Sequence, residues 1–202
     1  MSGGTPKGRS KGGDSAARGR RMADKARGPR PERPQPVRLE PDDSADIGVE
    51  ARIAAGLLLN GALIRRGGLD EALTLPAVSG LPGPDRAFAR AVAMAALRRL
   101  GEIDQILNRR LQKSPPEAVR TILRIALAQT LVLETPAFAA VSTAVKLAER
   151  DPKTRPYKNL VNAVLRGIGR EGPGLTTAES NLPEWLVARW RQTYGDAALA
   201  GL

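Results

Sequence analysis

The residues PYKNLVNAVLRGIG at positions 156–169 contain the clearest structural signal in this sequence. Large apolar side chains recur there in pairs four residues apart, at Leu160, Val161, Val164, Leu165 and Ile168. Because an α-helix has 3.6 residues per turn, this spacing places all of them on one side of a helix. We therefore predict an amphipathic helix over 156–169 whose apolar side packs against other helices.

The same spacing recurs upstream, in segments that glycine and proline residues separate. It predicts further helices over 49–66, 69–75, 85–111, 117–134 and 139–150. Within the third of these segments, Gly101 is the expected joint between two helices. No alternating pattern typical of a β-strand appears. The sequence therefore predicts an all-α fold, a helical bundle over residues 46–171.

The composition narrows the chemistry that this chain of 202 residues can perform. It has 42% hydrophobic residues, enough for one buried core, but only 3% aromatic residues, so Ala, Leu, Ile and Val must fill that core. The chain also lacks His and Cys. This excludes Ser-His-Asp and Cys-His catalysis, zinc fingers and disulfides. Carboxylate, hydroxyl, lysine and arginine chemistry remain, as does binding without catalysis.

Most of the formal charge of +11 lies at the start of the chain. Residues 1–38 contain eleven Lys and Arg against three Asp and Glu, a net charge of +8, and the remainder of the chain has +3. The same segment is rich in Gly and Pro and has few apolar residues, so burial cannot offset the entropy of ordering it. We predict a disordered basic arm over residues 1–45 that attracts nucleic acid. A solubilising tail without a specific ligand is the alternative.

The apolar segments are too short to cross a membrane. A spanning helix needs about 18 to 20 apolar residues, whereas the run at 53–64 is twelve residues long and contains Asn60. The arm also lacks the apolar stretch of a signal peptide. Together with the absence of cysteine, these features predict a soluble protein, and they favour the cytoplasm.

Two patterns that resemble chemical sites have simpler explanations. The glycines at 167, 169 and 172 match G-x-G-x-x-G, but a dinucleotide fold needs that motif between a strand and a helix, and here it follows a helix. Acidic pairs occur at 42–43, 70–71 and 149–151, without a third ligand at a suitable spacing. We therefore assign no catalytic, cofactor-binding or metal-ligating residue.

Basic residues inside the bundle are the candidate contacts to an anionic ligand. They are Arg52 at the start of the first helix, Arg86, Arg90, Arg98 and Arg99 in one helical unit, and Lys158 and Arg166 in the last helix. For each of them an ordinary exposed side chain or a surface ion pair is the alternative. Phe88 and Phe138 occupy positions expected in the core, so we expect phosphate contacts without base stacking.

Five segments resemble the NusB family in their order and spacing. They are 85–98, from DRAF to ALR, IDQIL at 103–107, ILRIA at 122–126, 136–146, and LVNAVLR at 160–166. The resemblance covers about residues 46–170 and implies an all-helical RNA-binding fold of two small helical subdomains. In that family the N-terminal arginine-bearing region and helix surfaces contact RNA. The resemblance thus makes Arg52, Arg86, Arg98, Lys158 and Arg166 candidates by position.

The NusB-like segments lead to separate predictions for two residues, Asn162 and Phe138. Asn162 matches the Asn of the family motif, and we expect a buried amide with hydrogen-bond partners. The family often has His before Ala-Ala-Val, where this chain has Phe138. Any polar role of that His is absent, and we expect Phe138 to pack in the core.

The end of the chain resembles a more specific group. Residues 181–195, NLPEWLVARWRQTYG, are similar to the connector in the Sun/RsmB family of S-adenosylmethionine-dependent rRNA cytosine-5 methyltransferases, in which a NusB-like domain precedes the catalytic domain. This implies a linker and connector over 172–202 and an rRNA-binding part truncated before the enzyme. S-adenosylmethionine is then implied only for the missing domain. A helix that closes the bundle, with Trp185 and Trp190 as packing anchors, is the structural alternative.

Two other functions stay open at this point. The first alternative is a stand-alone NusB-type transcription antitermination factor, which binds a leader RNA together with a small ribosomal protein. A helical protein-interaction module with a basic tail is the second alternative. A homodimer is compatible with each of these functions. In none of them does this chain, with no cysteine and no cofactor-binding fold, act as an enzyme by itself.

Overall fold

Helices account for every regular element in residues 48–64 and 68–199, the parts of the chain that the computed structural model describes. The α-helices are α1 (Val49–Ile64), α2 (Gly68–Thr74), α3 (Pro76–Ser79), α4 (Gly83–Arg98), α5 (Leu100–Arg110), α6 (Glu117–Leu131), α7 (Ala137–Arg150), α8 (Lys158–Glu171), α9 (Glu184–Tyr194) and α10 (Asp196–Leu199). Two 3-10 helices lie at Arg155–Tyr157 and Ala178–Asn181. The predicted all-α fold is confirmed. The predicted basic arm, residues 1–45, lies outside the described residues.

Proline and glycine set several helix boundaries. The helices α4, α6, α7 and α9 each begin directly after a proline, at Pro82, Pro116, Pro136 and Pro183. Proline fixes φ near −65° and has no N–H that could be left unpaired, so it suits the start of a helix. At the end of α8, Gly172 adopts a φ of +79°, which disfavours any residue with a Cβ. The helix stops there.

The observed helices agree with the predicted ones to within a few residues, with two informative differences. Helix α8 continues to Glu171, beyond the predicted end at residue 169. A glycine inside a helix costs only about 1 kcal/mol relative to alanine, so Gly167 and Gly169 do not end it. The break between α4 and α5 falls at Arg99, two residues before Gly101. The sequence pattern does not predict the short helix α3.

The packing divides the bundle into two groups of helices that meet at α6. In the first group, α1 packs against α2, α3 and α4. In the second, α6, α7 and α8 contact one another. Helix α6 also contacts α1, α4 and α5, and thereby joins the groups. This arrangement agrees with the two small helical subdomains that the family resemblance implies.

Aliphatic side chains fill the core, as the composition predicts. Leu58, Leu59, Ile103, Leu107 and Leu123 are among the largest fully buried side chains, and many of the other buried residues are alanines. No aromatic side chain of the described residues is buried. None of the helices within 48–64 and 68–199 is long and apolar enough to cross a membrane.

A charge network joins α5 to α6. The Asp104 carboxylate accepts two hydrogen bonds from Arg124, from Nε and Nη2 at 2.8 Å each, and one from Arg120 Nε at 3.2 Å. Arg120 also donates to Asn108 Oδ1 at 2.8 Å, and Arg124 also donates to Glu117. Both arginines are buried. Burial acts to lower the pKa of Arg124, but its hydrogen bonds to Asp104 and the charges of Asp104 and Glu117 outweigh burial and raise that pKa.

After α8 the chain turns back along α5. Residues 172–182, called the strap below, are held near the C-terminal end of α5 by Arg109. Its guanidinium donates to the main-chain oxygen of Pro173 at 3.2 Å and to that of Leu175 at 2.6 Å. At the middle of α5, Ser180 donates to Gln105 Oε1 at 3.2 Å. The segment predicted as a linker is therefore docked along a helix of the bundle.

The strap approaches α5 most closely at Gly101. A Cβ atom built on this glycine would lie 1.5 Å from the carbonyl oxygen of Ser180 and 3.1 Å from the Cα of Asn181. Both neighbours are backbone atoms, which cannot rotate away as the end of a side chain can. The sequence predicts that Gly101 is the joint between two helices, but Gly101 lies inside α5, and the reason for glycine there is this close contact.

Glu102 connects the strap to α5 and to Arg99, which lies between α4 and α5. It is 7% exposed, and its carboxylate accepts hydrogen bonds from Arg99, with Nε at 2.6 Å and Nη2 at 2.5 Å, and from Thr176 Oγ1 at 2.7 Å. The main-chain N–H of Glu102 donates to Asn181 Oδ1 at 3.0 Å. Burial acts to raise the pKa of Glu102, but the hydrogen bonds from Arg99 and Thr176 outweigh it and hold the pKa below its ordinary value.

This lowered pKa predicts an acid-sensitive contribution of Glu102 to stability. Because the folded state favours the ionised carboxylate, the contribution is present above the ordinary glutamate pKa of about 4.3 and is lost as pH falls through the lower, folded-state value. We expect Glu102→Gln to lower the melting temperature at pH 7, and we expect the difference from the unchanged protein to shrink below about pH 4. Melting curves by circular dichroism between pH 7 and pH 3 measure this. Glu184→Gln, at an exposed position on α9, is the control, and an equal effect of Glu102→Gln at pH 7 and pH 3 would contradict the assignment.

Helix α9 presents aromatic residues to solvent. Trp185 is 66% exposed and Tyr194 is 67% exposed, while Trp190 is half-buried. No residue of α9 is buried. The alternative in which both tryptophans anchor this helix to the bundle is therefore wrong for Trp185. The helix is positioned instead by the strap and by Arg191, which pairs with Glu179 at 3.1 Å.

Candidate RNA-binding surface

The seven predicted contact residues do not form one patch. Arg52 and Arg99 bond to the fold itself, Arg86, Arg90 and Arg98 lie along α4, and Lys158 and Arg166 lie on α8. The first pair is engaged in contacts that hold helices together. The other two sets have side chains at the surface. The surface on α4 is convex, whereas the surface on α8 is concave.

Arg52 lies in the first turn of α1, with its guanidinium turned into the structure. Its Nε donates to Oε1 of the buried Gln129 at 2.7 Å, and its Nη1 donates to the main-chain oxygen of Gly48 at 3.1 Å. The guanidinium carbon lies 4.9 Å from the centroid of the Phe88 ring, which is a cation–π contact. Burial lowers the pKa of Arg52. Contacts within the fold therefore account for this arginine, and its contact with RNA stays a prediction.

Arg99 occupies the corner between α4 and α5. Two of its nitrogens bond to the Glu102 carboxylate, and its Nη1 donates to the main-chain oxygen of Leu131 at 3.3 Å. It thereby pairs with one of the unbonded carbonyls at the end of α6. Contacts within the fold therefore account for Arg99, as they do for Arg52, and a contact of Arg99 with RNA stays a prediction.

Arg86, Arg90 and Arg98 are exposed along the outer side of α4. Arg86 and Arg90 are one turn apart, and Arg98 follows two turns later. Arg86 donates to the main-chain oxygen of Ser79 at 3.1 Å, so part of its guanidinium is used to join α4 to the end of α3. The three arginines form a convex ridge on a single helix, which we call the α4 ridge.

Lys158 and Arg166 line one groove between α7 and α8, of about 720 Å³. Lys146 and Arg170 line it as well, so four cations face a single carboxylate, that of Glu149. Lys158 Nζ donates to Glu149 Oε1 at 2.8 Å, and this bond together with the charge of Lys158 lowers the pKa of Glu149. The carboxylate thus stays ionised and offsets one of the four positive charges. We call this feature the α7–α8 groove.

Phe138 also lines the α7–α8 groove, and it is 73% exposed. The expectation that it packs in the core is therefore wrong. The buried residues of α7 include Ala140, Ala144 and Leu147. At about 100° per residue, Phe138 lies about 180° around the helix from Leu147, on the side that faces the groove. The groove therefore has an exposed aromatic ring, which the sequence analysis did not expect.

Asn162 is half-buried and lines the same groove. The expectation of a buried amide is wrong, because this position of α8 faces the groove while the neighbouring Val161 faces the core. Lys146 and Arg170 are further groove residues that sequence reasoning did not single out. Helical spacing could have identified Arg170, because it lies one turn beyond Arg166 on the same side of α8.

The glycine motif and the acidic pair at 70–71 have structural roles in the described residues. Within 48–64 and 68–199, no group of three His, Cys, Asp or Glu side chains is close enough to hold a metal ion. The glycines at 167 and 169 lie inside α8, and Gly172 ends it, so the G-x-G-x-x-G match is not a phosphate-binding loop. Asp70 and Glu71 lie in the first turn of α2, where negative charge is favourable.

Known proteins match this chain over most of its length. Ribosomal RNA small subunit methyltransferase B of Xanthomonas campestris pv. campestris is 33% identical over 162 residues, and the protein of that name in Thermus thermophilus is 37% identical over 159 residues. These matches cover 78% and 76% of this chain, but 37% and 38% of those proteins. A Synechocystis relative, named as a probable enzyme of the same kind, is 31% identical over 137 residues, which is 60% of this chain and 30% of that protein.

The matched part of the chain therefore spans between 30% and 38% of the length of these curated relatives. The model of the NusB family matches residues 50–170, which is more than half of the chain. This match begins in α1 and ends in α8, so it includes both the α4 ridge and the α7–α8 groove. It confirms the resemblance that five short segments of the sequence predict. The chain belongs to the NusB family.

Proposed function

We propose that this chain binds ribosomal RNA, as the RNA-binding part of an S-adenosylmethionine-dependent rRNA (cytosine-5) methyltransferase. The α7–α8 groove is the observation that supports binding, because four cations and one carboxylate line a concave surface on a NusB-family fold. The names of the relatives support ribosomal RNA as the ligand. An rRNA ligand also favours a cytoplasmic location.

The α7–α8 groove suits a nucleic acid backbone better than the α4 ridge does. Lysine and arginine that neutralise phosphates release condensed counterions, and this release supplies most of the sequence-independent affinity. A groove holds the backbone between two helices, whereas the α4 ridge is convex and Arg86 is already bonded to Ser79. We therefore assign the principal phosphate contacts to Arg166, Arg170 and Lys158, and a smaller contribution to the α4 ridge.

Catalysis belongs, in this proposal, to residues outside the chain described here. All the described elements are helical, and none forms the strand–glycine–helix unit that binds such a cofactor, so we assign no residue of this chain to S-adenosylmethionine. Similarity of the aromatic segment 181–195 to a methyltransferase connector supports this proposal over a stand-alone antitermination factor. A ribosomal-protein partner and a homodimer stay predictions.

The proposal predicts how binding responds to salt. We expect the double variant Arg166→Gln/Arg170→Gln to bind a structured rRNA fragment about tenfold more weakly or worse at low salt, and to reduce the slope of log affinity against log salt concentration by about 1 per lost phosphate contact. Fluorescence anisotropy titrations at several salt concentrations measure both quantities. The full chain is used throughout, so any contribution of residues 1–38 is the same in every sample.

Two matched variants control this experiment. Arg189→Gln removes an exposed arginine on α9, outside the groove, and is expected to leave the slope unchanged. The double variant Arg90→Gln/Arg98→Gln removes two charges from the α4 ridge and is expected to have the smaller effect. Equal slopes for the groove variant and Arg189→Gln would refute the proposed binding surface.

A further inference from the structure

We propose that Phe138 stacks on an unpaired base, so that the α7–α8 groove prefers single-stranded RNA to duplex RNA. This inference rests on the proposed function and adds the class of RNA that the groove accepts. Phe138 lies in the first turn of α7 with 73% of its surface exposed, which is a costly position for a phenyl ring with no ligand. The ring lines the same groove as Arg166 and Arg170.

The two walls of the groove have different chemistry. On α7, Phe138 is followed one and two turns later by Val141 and Val145, so the first half of this wall offers an aromatic ring and aliphatic surface, while Lys146 and Glu149 line the second half. On α8, Lys158, Arg166 and Arg170 form a cationic wall that is about 18 Å long at 1.5 Å per residue. A strand that lies with its phosphates along α8 turns its bases towards α7.

Single-stranded RNA is the ligand that matches both walls. Proteins that bind single strands combine a cationic groove that follows the backbone with aromatic side chains on which bases stack. In a duplex the base faces are covered by neighbouring base pairs, so a duplex can use the cationic wall but not the ring. Asn162, half-buried between the walls, adds an amide that can hydrogen-bond to a base edge.

The test compares single-stranded and duplex RNA on the same variants of the full chain. The probes are a fluorescently labelled twelve-nucleotide uridine strand and a labelled RNA duplex of equal length, titrated by anisotropy. We expect Phe138→Leu to weaken binding of the single strand about tenfold while duplex binding changes less than about twofold, because stacking on one base is lost and the phosphate contacts are kept. Phe138→Trp, unlike Phe138→Leu, is expected to keep the affinity of the unchanged protein for the single strand, because tryptophan also offers an aromatic ring.

Tyr194→Leu is the matched control, since Tyr194 is 67% exposed on α9 and lies outside the groove. It is expected to leave both affinities unchanged. Thermal unfolding of Phe138→Leu is expected to match that of the unchanged protein, because the ring is not part of the core. A loss of affinity after Phe138→Leu that is equal for single strand and duplex would overturn the inference.

Two further outcomes separate this inference from the proposed function. If Arg166→Gln/Arg170→Gln weakens RNA binding while Phe138→Leu leaves single-strand binding unchanged, the groove binds RNA but Phe138 does not stack, and the inference fails alone. If an acidic peptide competes with the uridine strand at equal concentration and loses affinity in Phe138→Leu, the groove is a protein-binding site and the inference is overturned.

Discussion

Replacement of Asp104 with alanine is expected to lower the free energy of unfolding by about 3 kcal/mol. The Asp104 carboxylate is the shared acceptor of Arg120 and Arg124, both of which are buried. Its removal leaves two guanidinium groups without their main counter-charge in a region of low dielectric constant. Glu117 and Asn108 still bond to these arginines, which keeps the expected loss near the lower end of the range for broken buried pairs.

Urea denaturation followed by circular dichroism measures this loss as a lower midpoint with an unchanged slope. Glu50→Ala is the control, because it breaks the exposed ion pair between Glu50 and Arg150 and is expected to cost less than about 1 kcal/mol. Asp104→Asn is expected to fall between the two, since an amide keeps one acceptor but not the charge. A cost below 1 kcal/mol for Asp104→Ala would show that the network does not stabilise the contact between α5 and α6.

Replacement of Gly101 with alanine is expected to release the strap from α5. The added Cβ would lie 1.5 Å from the Ser180 carbonyl oxygen, so the strap must move by more than an ångström. Thr176 and Asn181 would then lose their hydrogen bonds to Glu102. We expect a net loss of about 1–3 kcal/mol, as for other overpacked sites, although alanine by itself favours a helix more than glycine does.

Tryptophan fluorescence detects this release directly, because the two tryptophans of the chain, Trp185 and Trp190, both lie on α9. We expect lower steady-state anisotropy in Gly101→Ala, as α9 gains rotational freedom. Gly169→Ala is the matched control, because its Cβ would meet no atom within 4 Å and is expected to stabilise α8 by up to about 1 kcal/mol. Unchanged anisotropy and higher stability in Gly101→Ala would contradict the close contact with the strap.

The positions of the helices could be predicted because each one depends on local sequence. The spacing of apolar residues in α8 and the proline before α7 are signals that act within one or two turns. Family membership followed from the same short segments. The side of α7 on which Phe138 lies was also predictable from helical spacing, but we expected Phe138 at a core position, and that expectation was wrong.

The full roles of Arg52 and Arg99 could not be predicted, because each of them has one partner that is distant in the sequence. Arg52 bonds to Gln129, 77 residues away, and Arg99 bonds to the end of α6, 32 residues away. Helical periodicity shows which side of a helix faces the core, but not which residue of another helix it meets. Whether an arginine is free to bind a ligand depends on which residue of the other helix it meets.

The strap was unpredictable for a related reason. Residues 172–182 have no apolar periodicity, and their hydrogen bonds to α5 involve main-chain oxygens and short polar side chains. Such bonds leave little signal in the sequence, since almost any residue supplies a main-chain oxygen. Gly101 was the available sign of this contact in the sequence. A helix joint was a simpler explanation for a glycine at that position, so the close contact with the strap was not predicted.

The network around Asp104 also selects one alignment of α5 along α6. On these helices the buried aliphatic residues Ile103 and Leu107 are four residues apart, as are Val119 and Leu123, so a slide of one turn, about 5.4 Å, would replace one aliphatic contact with a similar one. The charge network does not repeat in this way, because Asp104 bonds to both buried arginines of α6, which are one turn apart, and a slide of one turn leaves its carboxylate with at most one of them. The aliphatic contacts between α5 and α6 are interchangeable, so the Asp104 carboxylate sets the register of these two helices.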